Sequence, residues 1–137
     1  MTQGSTMHQV LQPVGWLKPK GYVNAIACQG TQIYIGGQVG WNSEQQFETD
    51  DFLGQLEQTL KNIKAILEEG GANPENMVRM TWYIVKKELY VAKLKEIGEV
   101  YRNVLGKNFP AMSCIFVSDL VEDRALVEIE VTAVIPF

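Results

Sequence analysis

The sequence predicts an α+β domain, a single mixed sheet with two helices packed on one face. Three observations carry this prediction: apolar residues recur at helical spacing in two stretches, apolar and polar residues alternate in others, and the two kinds of stretch interleave along the chain. At 137 residues the chain is sized for one domain, and a chain of that length buries roughly two thirds of the surface its unfolded form exposes. The expected organisation is a flexible N-terminal tail over 1–9 followed by one domain over 10–137.

In chain order, Val10 to Tyr22 is interrupted by prolines and glycines, which fits an edge strand or extended lead-in. Asn24 to Cys28 and Gln32 to Val39 read as two strands, with Gly30-Thr31 as the tight turn of a hairpin. Gly36-Gly37 inside the second strand marks either a bulge or a close backbone approach by a ligand. Thr49 or Asp50 can cap the helix that follows. Its Phe52, Leu56, Leu60, Ile63 and Leu67 form one apolar stripe, and Gly70-Gly71 ends it.

Met77 to Val85 alternates as a strand, with Val78, Met80, Trp82 and Ile84 on one side and Arg79, Thr81 and Tyr83 on the other. A second helix is predicted from about Leu89, with Tyr90, Leu94, Ile97, Tyr101 and Val104 on its inner stripe and Gly106 closing it. Phe109-Pro110 then turns into an apolar strand, Ile115 to Val117, giving Phe109 to Cys114 the look of the lip of a site. In the last strand, Leu126 to Pro136, Val127, Ile129, Val131, Ala133 and Ile135 share one face, and Glu128, Glu130 and Thr132 lie on the other. With the helices on one face, the mixed face holding Arg79, Tyr83, Glu128, Glu130 and Thr132 suits the inner surface of a closed oligomer.

Composition narrows the function classes. A hydrophobic fraction of 46% and a charged fraction of 20% are those of an ordinary globular protein. The net charge of −4 and the lack of a basic patch argue against nucleic-acid binding, since Lys86-Lys87 runs directly into Glu88. His8 is the single histidine and lies in the tail, so histidine-dependent nucleophilic or RNA-cleaving chemistry lacks its base. Cys28 and Cys114 have no CxxC or Cys/His companions, so neither a metal site nor a disulfide framework is expected. Free thiols, no signal-peptide pattern and no apolar run of about 18 residues together lead to a cytoplasmic expectation without a membrane partner.

Several motifs together are recognisable: Gly21-Tyr22, Gly37-Gln38, the helix from Gln55 to Leu67, Gly71 to Val78 as Gly-Ala-Asn-Pro-Glu-Asn-Met-Val, Pro110-Ala111-x-Ser113-Cys114, and Val127 to Ala133 as Val-Glu-Ile-Glu-Val-Thr-Ala. Over about Tyr22 to Pro136 the chain resembles the RidA/YjgF family, which also carries an older reading as endoribonuclease L-PSP. The resemblance implies a chorismate-mutase-like α+β subunit and a homotrimer with clefts between subunits. It also implies hydrolysis of reactive enamine/imine intermediates without metal or cofactor. Tyr22, Gly37, Cys114 and Glu128 match residues that line the family's cleft, with Glu128 the candidate for positioning or protonating water. Two positions depart from the pattern: Met112 stands where family deaminases carry the arginine that clamps the substrate carboxylate, and Gly36 stands where serine or threonine is common.

The leading functional expectation is a homotrimer that binds a small metabolite in a cleft lined by Tyr22, Gly37, Trp41, Met112, Cys114 and Glu128. Hydrolysis of an enamine or imine stays open, whereas 2-aminoacrylate is disfavoured, because a thioether cannot replace two charge-assisted hydrogen bonds. Glu128 beside apolar Met112 is expected to be desolvated and to have a raised pKa. Cys114 is expected to be a buried, inert thiol, and Arg79 is a remote alternative source of positive charge. The alternative is a non-catalytic ligand-binding or chaperone-like trimer, and endoribonuclease ranks last.

Overall fold

The computed structural model describes residues 8–137. Their strands form a four-stranded mixed sheet and a separate two-stranded ribbon. In chain order the elements are β1 (Gln9–Leu11), β2 (Ala25–Ala27), β3 (Gly30–Val39), α1 (Phe52–Glu69), a 3₁₀ turn (Pro74–Asn76), β4 (Met77–Ile84), α2 (Lys87–Val91), α3 (Leu94–Leu105), β5 (Ala111–Phe116) and β6 (Val127–Pro136). The main sheet runs β3-β6-β4-β5; β6 is antiparallel to both neighbours and β4-β5 is parallel. The fold is therefore the predicted mixed α+β sheet. Most of the tail expectation, 1–7, lies outside the described residues, and Gln9 already pairs with Ala27 in the ribbon.

The α1 stripe behaves as its spacing predicts: Phe52, Leu56, Leu60, Ile63 and Leu67 are all buried against the sheet. The cap is Asp51 rather than Thr49 or Asp50, its side chain accepting from the Gly54 amide at 2.9 Å, while Thr49 Oγ1 accepts from the Asp51 amide. Gln55, buried on the same helix, donates to the Thr49 and Arg124 carbonyls and accepts from the Leu126 amide at 2.8 Å. That side chain ties the start of α1 to the entry of β6. A buried amide with every contact satisfied fixes register as well as adding stability.

Four further expectations are corrected. The β2-β3 hairpin does not form: Ala25–Ala27 pairs with β1, and Gly30 and Thr31 are strand residues facing Pro136 and Ile135 of β6. Gly30 has φ +153, and a Cβ there would lie 1.9 Å from the Ile135 carbonyl oxygen, so its glycine serves a close strand approach rather than a turn. In β4 a register shift between Met77 and Arg79 places Met77 in the core, with Val78 only half-buried. The single second helix is two, α2 and α3, broken at Ala92-Lys93. Ile97, Tyr101 and Val104 keep their buried positions, whereas Leu94 is 56% exposed. Finally, the stretch Ala111 to Cys114 is strand, part of β5 rather than a turn leading into it.

Candidate functional site

β5 is an edge strand, and its alternation decides what the site contains. Met112, Cys114 and Phe116 pair with Met80, Trp82 and Ile84, the inward residues of β4, so they share the face covered by the helices. Between this edge and α3 lies a cleft of about 670 Å³, within the ~300–1,000 Å³ of small-molecule sites. The lead-in closes one side: the Val23 amide donates to the Pro110 carbonyl at 3.2 Å, and Tyr22 lines the cleft. Its aromatic floor is a ladder in which Trp82 stacks on Tyr101 at 6.3 Å and Tyr101 on Phe109 at 5.2 Å. The Tyr101 hydroxyl donates to the Asn108 carbonyl, and burial holds its pKa well above the usual tyrosine value.

Cys114 is exposed rather than buried, contrary to expectation, because among the described residues the outer edge of β5 is bridged only at Ala111, by Val23, and carries no strand alongside Cys114. Its thiol is nevertheless surrounded enough that desolvation pushes its pKa up, outweighing the Tyr90 hydroxyl, which acts the other way. A raised thiol pKa lowers the thiolate fraction, so nothing activates Cys114 as a nucleophile. Tyr90, raised by burial and then by Cys114, lines the same cleft and meets Phe116 edge-on at 5.8 Å.

Glu128 lies on the other face of the sheet. Its register partner in β4 is Tyr83, and Glu130 beside it accepts from the Tyr83 hydroxyl at 2.8 Å. Within one chain it therefore does not stand beside Met112. Its pKa is raised all the same, by burial first and by Glu130 second. Gly37 belongs to this half: a Cβ there would fall 2.0 Å from Glu128 Oε2, so the glycine leaves the space that the carboxylate occupies. The Gly36-Gly37 pair is also a bulge, since register shifts between Ile35 and Gln38. Arg79 shares this face with Glu130 and Thr132 around a hollow of about 400 Å³, away from Met112. Trp41 belongs to neither half. It packs against Phe47 at 5.8 Å, and its carbonyl accepts from Asn62 at 2.8 Å.

One chain thus brings together Tyr22, Met112 and Cys114, brings Gly37 to Glu128, and separates the two groups by the sheet. The cleft residues that the sequence reading missed as site residues are Trp82, Tyr90, Tyr101 and Arg102, whereas Phe109 belongs to the stretch read as the lip of a site. The three aromatics fit core or strand patterns; their common signal is an aromatic excess on elements that converge on an edge strand. Among the described residues no group of three or more His, Cys, Asp or Glu side chains converges to hold a metal ion, and no helix is long and apolar enough to cross a membrane.

Comparison with known proteins identifies the family and the fold. The family model described as Endoribonuclease L-PSP matches residues 17–135. A RutC family protein of Aquifex aeolicus is 35% identical over 132 residues, covering 93% of this chain and 99% of its own. A protein of Dermatophagoides farinae named 2-iminobutanoate/2-iminopropanoate deaminase is 30% identical, covering 90% and 89%. Among solved structures, YyfB of the conserved Rid protein family from Yersinia pestis superposes with a TM-score of 0.78 at 30% identity, covering 93% of this chain and 98% of that one. With the cleft motifs in place and the family matched over nearly the whole chain, this protein belongs to the RidA/YjgF family, the family of the endoribonuclease L-PSP model.

Proposed function

We propose that the chain acts as a homotrimer that binds a small 2-imino acid or related metabolite between subunits and hydrolyses it to the 2-oxo acid and ammonia. The observation that carries this reading is the division of the site: an aromatic cleft holding Tyr22, Met112 and Cys114 on one face, and Glu128 over Gly37 on the other. An assembly that sets one subunit's Glu128 face against its neighbour's cleft completes a site that neither has alone. The deaminase name of the Dermatophagoides farinae relative supports the reaction class.

In the reaction, water adds to the imine carbon, and the resulting carbinolamine expels ammonia to leave the carbonyl. Glu128 carries one proton of the attacking water to the imine nitrogen and then the carbinolamine hydroxyl proton to the departing amine, so both protons of the water leave with ammonia, a role that its raised pKa suits. No metal or cofactor is required for these steps. The test generates 2-iminobutanoate in situ with an amino-acid oxidase and follows its clearance to 2-oxobutanoate and ammonia by wild type and Glu128→Gln, alongside the mass of the native assembly. Faster clearance by wild type, loss with Glu128→Gln and a trimeric mass are expected; clearance unchanged in the variant removes Glu128 from the mechanism.

Met112 favours a second reading, binding without catalysis, because a methionine gives a carboxylate no donor. Thermal stabilisation by 2-oxo acids without any ammonia release would select it.

A further inference from the structure

The cleft between α3 and β5 carries positive charge from residues other than position 112. Its lining includes Lys20, Arg102 and Lys107 and not one Asp or Glu, although the chain's net charge is −4. The two ion pairs among the described residues, Glu57–Lys61 and Asp50–Arg124, use none of these cations. Arg102 is folded back over its own helix: a Cβ on Gly98, one turn earlier, would lie 3.0 Å from Nη1. Glycine within a helix is unfavourable relative to alanine, and here it leaves room for the guanidinium at the cleft.

We propose that Arg102, with Lys20 and Lys107 at the rim, binds the carboxylate of an acid whose aromatic or extended apolar side chain lies along Trp82, Tyr101 and Phe109. The anion contact has moved from the strand, where Met112 now adds polarisable apolar surface, to the helix opposite. A planar guanidinium suits a carboxylate, offering two parallel donors. The ligand class follows from the remaining walls: Leu94, Ile97 and Met112 add apolar surface that a three-carbon acid would leave in contact with water. The assignment rests on the cleft being the ligand site in the function proposed above.

Titration calorimetry of the full chain with phenylpyruvate and with pyruvate tests it. Wild type should bind phenylpyruvate about tenfold or more tighter than pyruvate. Arg102→Gln should weaken phenylpyruvate binding about tenfold or more, and Arg102→Lys should weaken it less. Arg102 is exposed, so both variants should fold, which near-UV circular dichroism of each sample verifies. Unchanged phenylpyruvate affinity in Arg102→Gln overturns the assignment, as does equal wild-type affinity for the two acids. If that happens while wild type still clears 2-iminobutanoate, the proposed function stands without it; if wild type neither binds the acids nor clears the imine, both fall.

Discussion

Met112 stands where the family resemblance implies a carboxylate-clamping arginine, and in the function proposed above it is the residue on which substrate choice turns. It lies partly buried against the core, beside Met80 in register, so its thioether contributes packing where a guanidinium would contribute two donors. Met112→Arg should raise clearance of 2-iminopropanoate about tenfold or more, because one charge-assisted hydrogen bond is worth ~1.5–3 kcal/mol. An assay of the variant beside wild type decides this, and no gain would mean that position 112 does not contact the acid. Glu128 yields a prediction about stability. Its folded-state pKa lies above the ordinary value of 4.5 because burial and Glu130 disfavour the ionised form. Between those two pKa values the folded state binds more protons than the unfolded one, so stability falls as pH rises through that window. Glu128→Gln should therefore have a higher Tm than wild type at pH 7, and the gap should close toward pH 4. Thermal melts across that range measure it, and a gap that widens on acidification would mean that Glu128 is stabilised as a carboxylate.

At the level of elements, what was legible in the sequence was whatever repeats. Leu56, Leu60, Ile63 and Leu67 announce α1, and Val127, Ile129, Val131 and Ala133 announce β6, because burial of one face imposes a period. Features set by a distant strand were not legible. Gly30-Thr31 has turn composition, yet what requires glycine at position 30 is the Ile135 carbonyl, more than a hundred residues away in the chain. The bulge that exchanges Val78 for Met77 leaves the local pattern intact, and the break at Ala92-Lys93 hides inside a continuous helical period. The candidate site shows the same division: the family resemblance picked out Tyr22, Met112 and Cys114, but only the pairing of β4 with β5 and β6 shows that Glu128 lies across the sheet from them. Gly30→Ala tests the strand approach directly. With φ at +153 and no room for a Cβ against a backbone oxygen, the start of β3 must separate from β6, at a cost of about 1–3 kcal/mol or more. Chemical denaturation should show the loss, whereas a near-neutral outcome would mean that a turn at this position is freely adopted.

For the whole molecule, the distribution of cover matters most. Both long helices lie on one face, where Met80, Trp82, Ile84, Val127 and Ile129 are all buried. Among the described residues no helix covers the other face, although it includes part of a parallel pair, β4-β5, and parallel strands are ordinarily covered on both sides. Its exposed residues are not those of a face built for water alone: Tyr34 is 73% exposed, and Ile115, beside Tyr83 in register, is 44% exposed. A second or third copy of the chain is the economical cover, and it would also bring a Glu128 face to a neighbouring cleft. Ile115→Asp separates this from a purely intramolecular account. The side chain is exposed in the single chain, so the substitution should leave its fold and far-UV spectrum intact; against a neighbour it would place a third carboxylate near Glu128 and Glu130, unpaired and desolvated. Native mass spectrometry should therefore show a trimer for wild type and mainly single chains for Ile115→Asp, with imine clearance lost in parallel. A monomeric wild type that still clears imine would place the whole reaction within one chain, and would require a base on the cleft side of the sheet, where Glu128 is not.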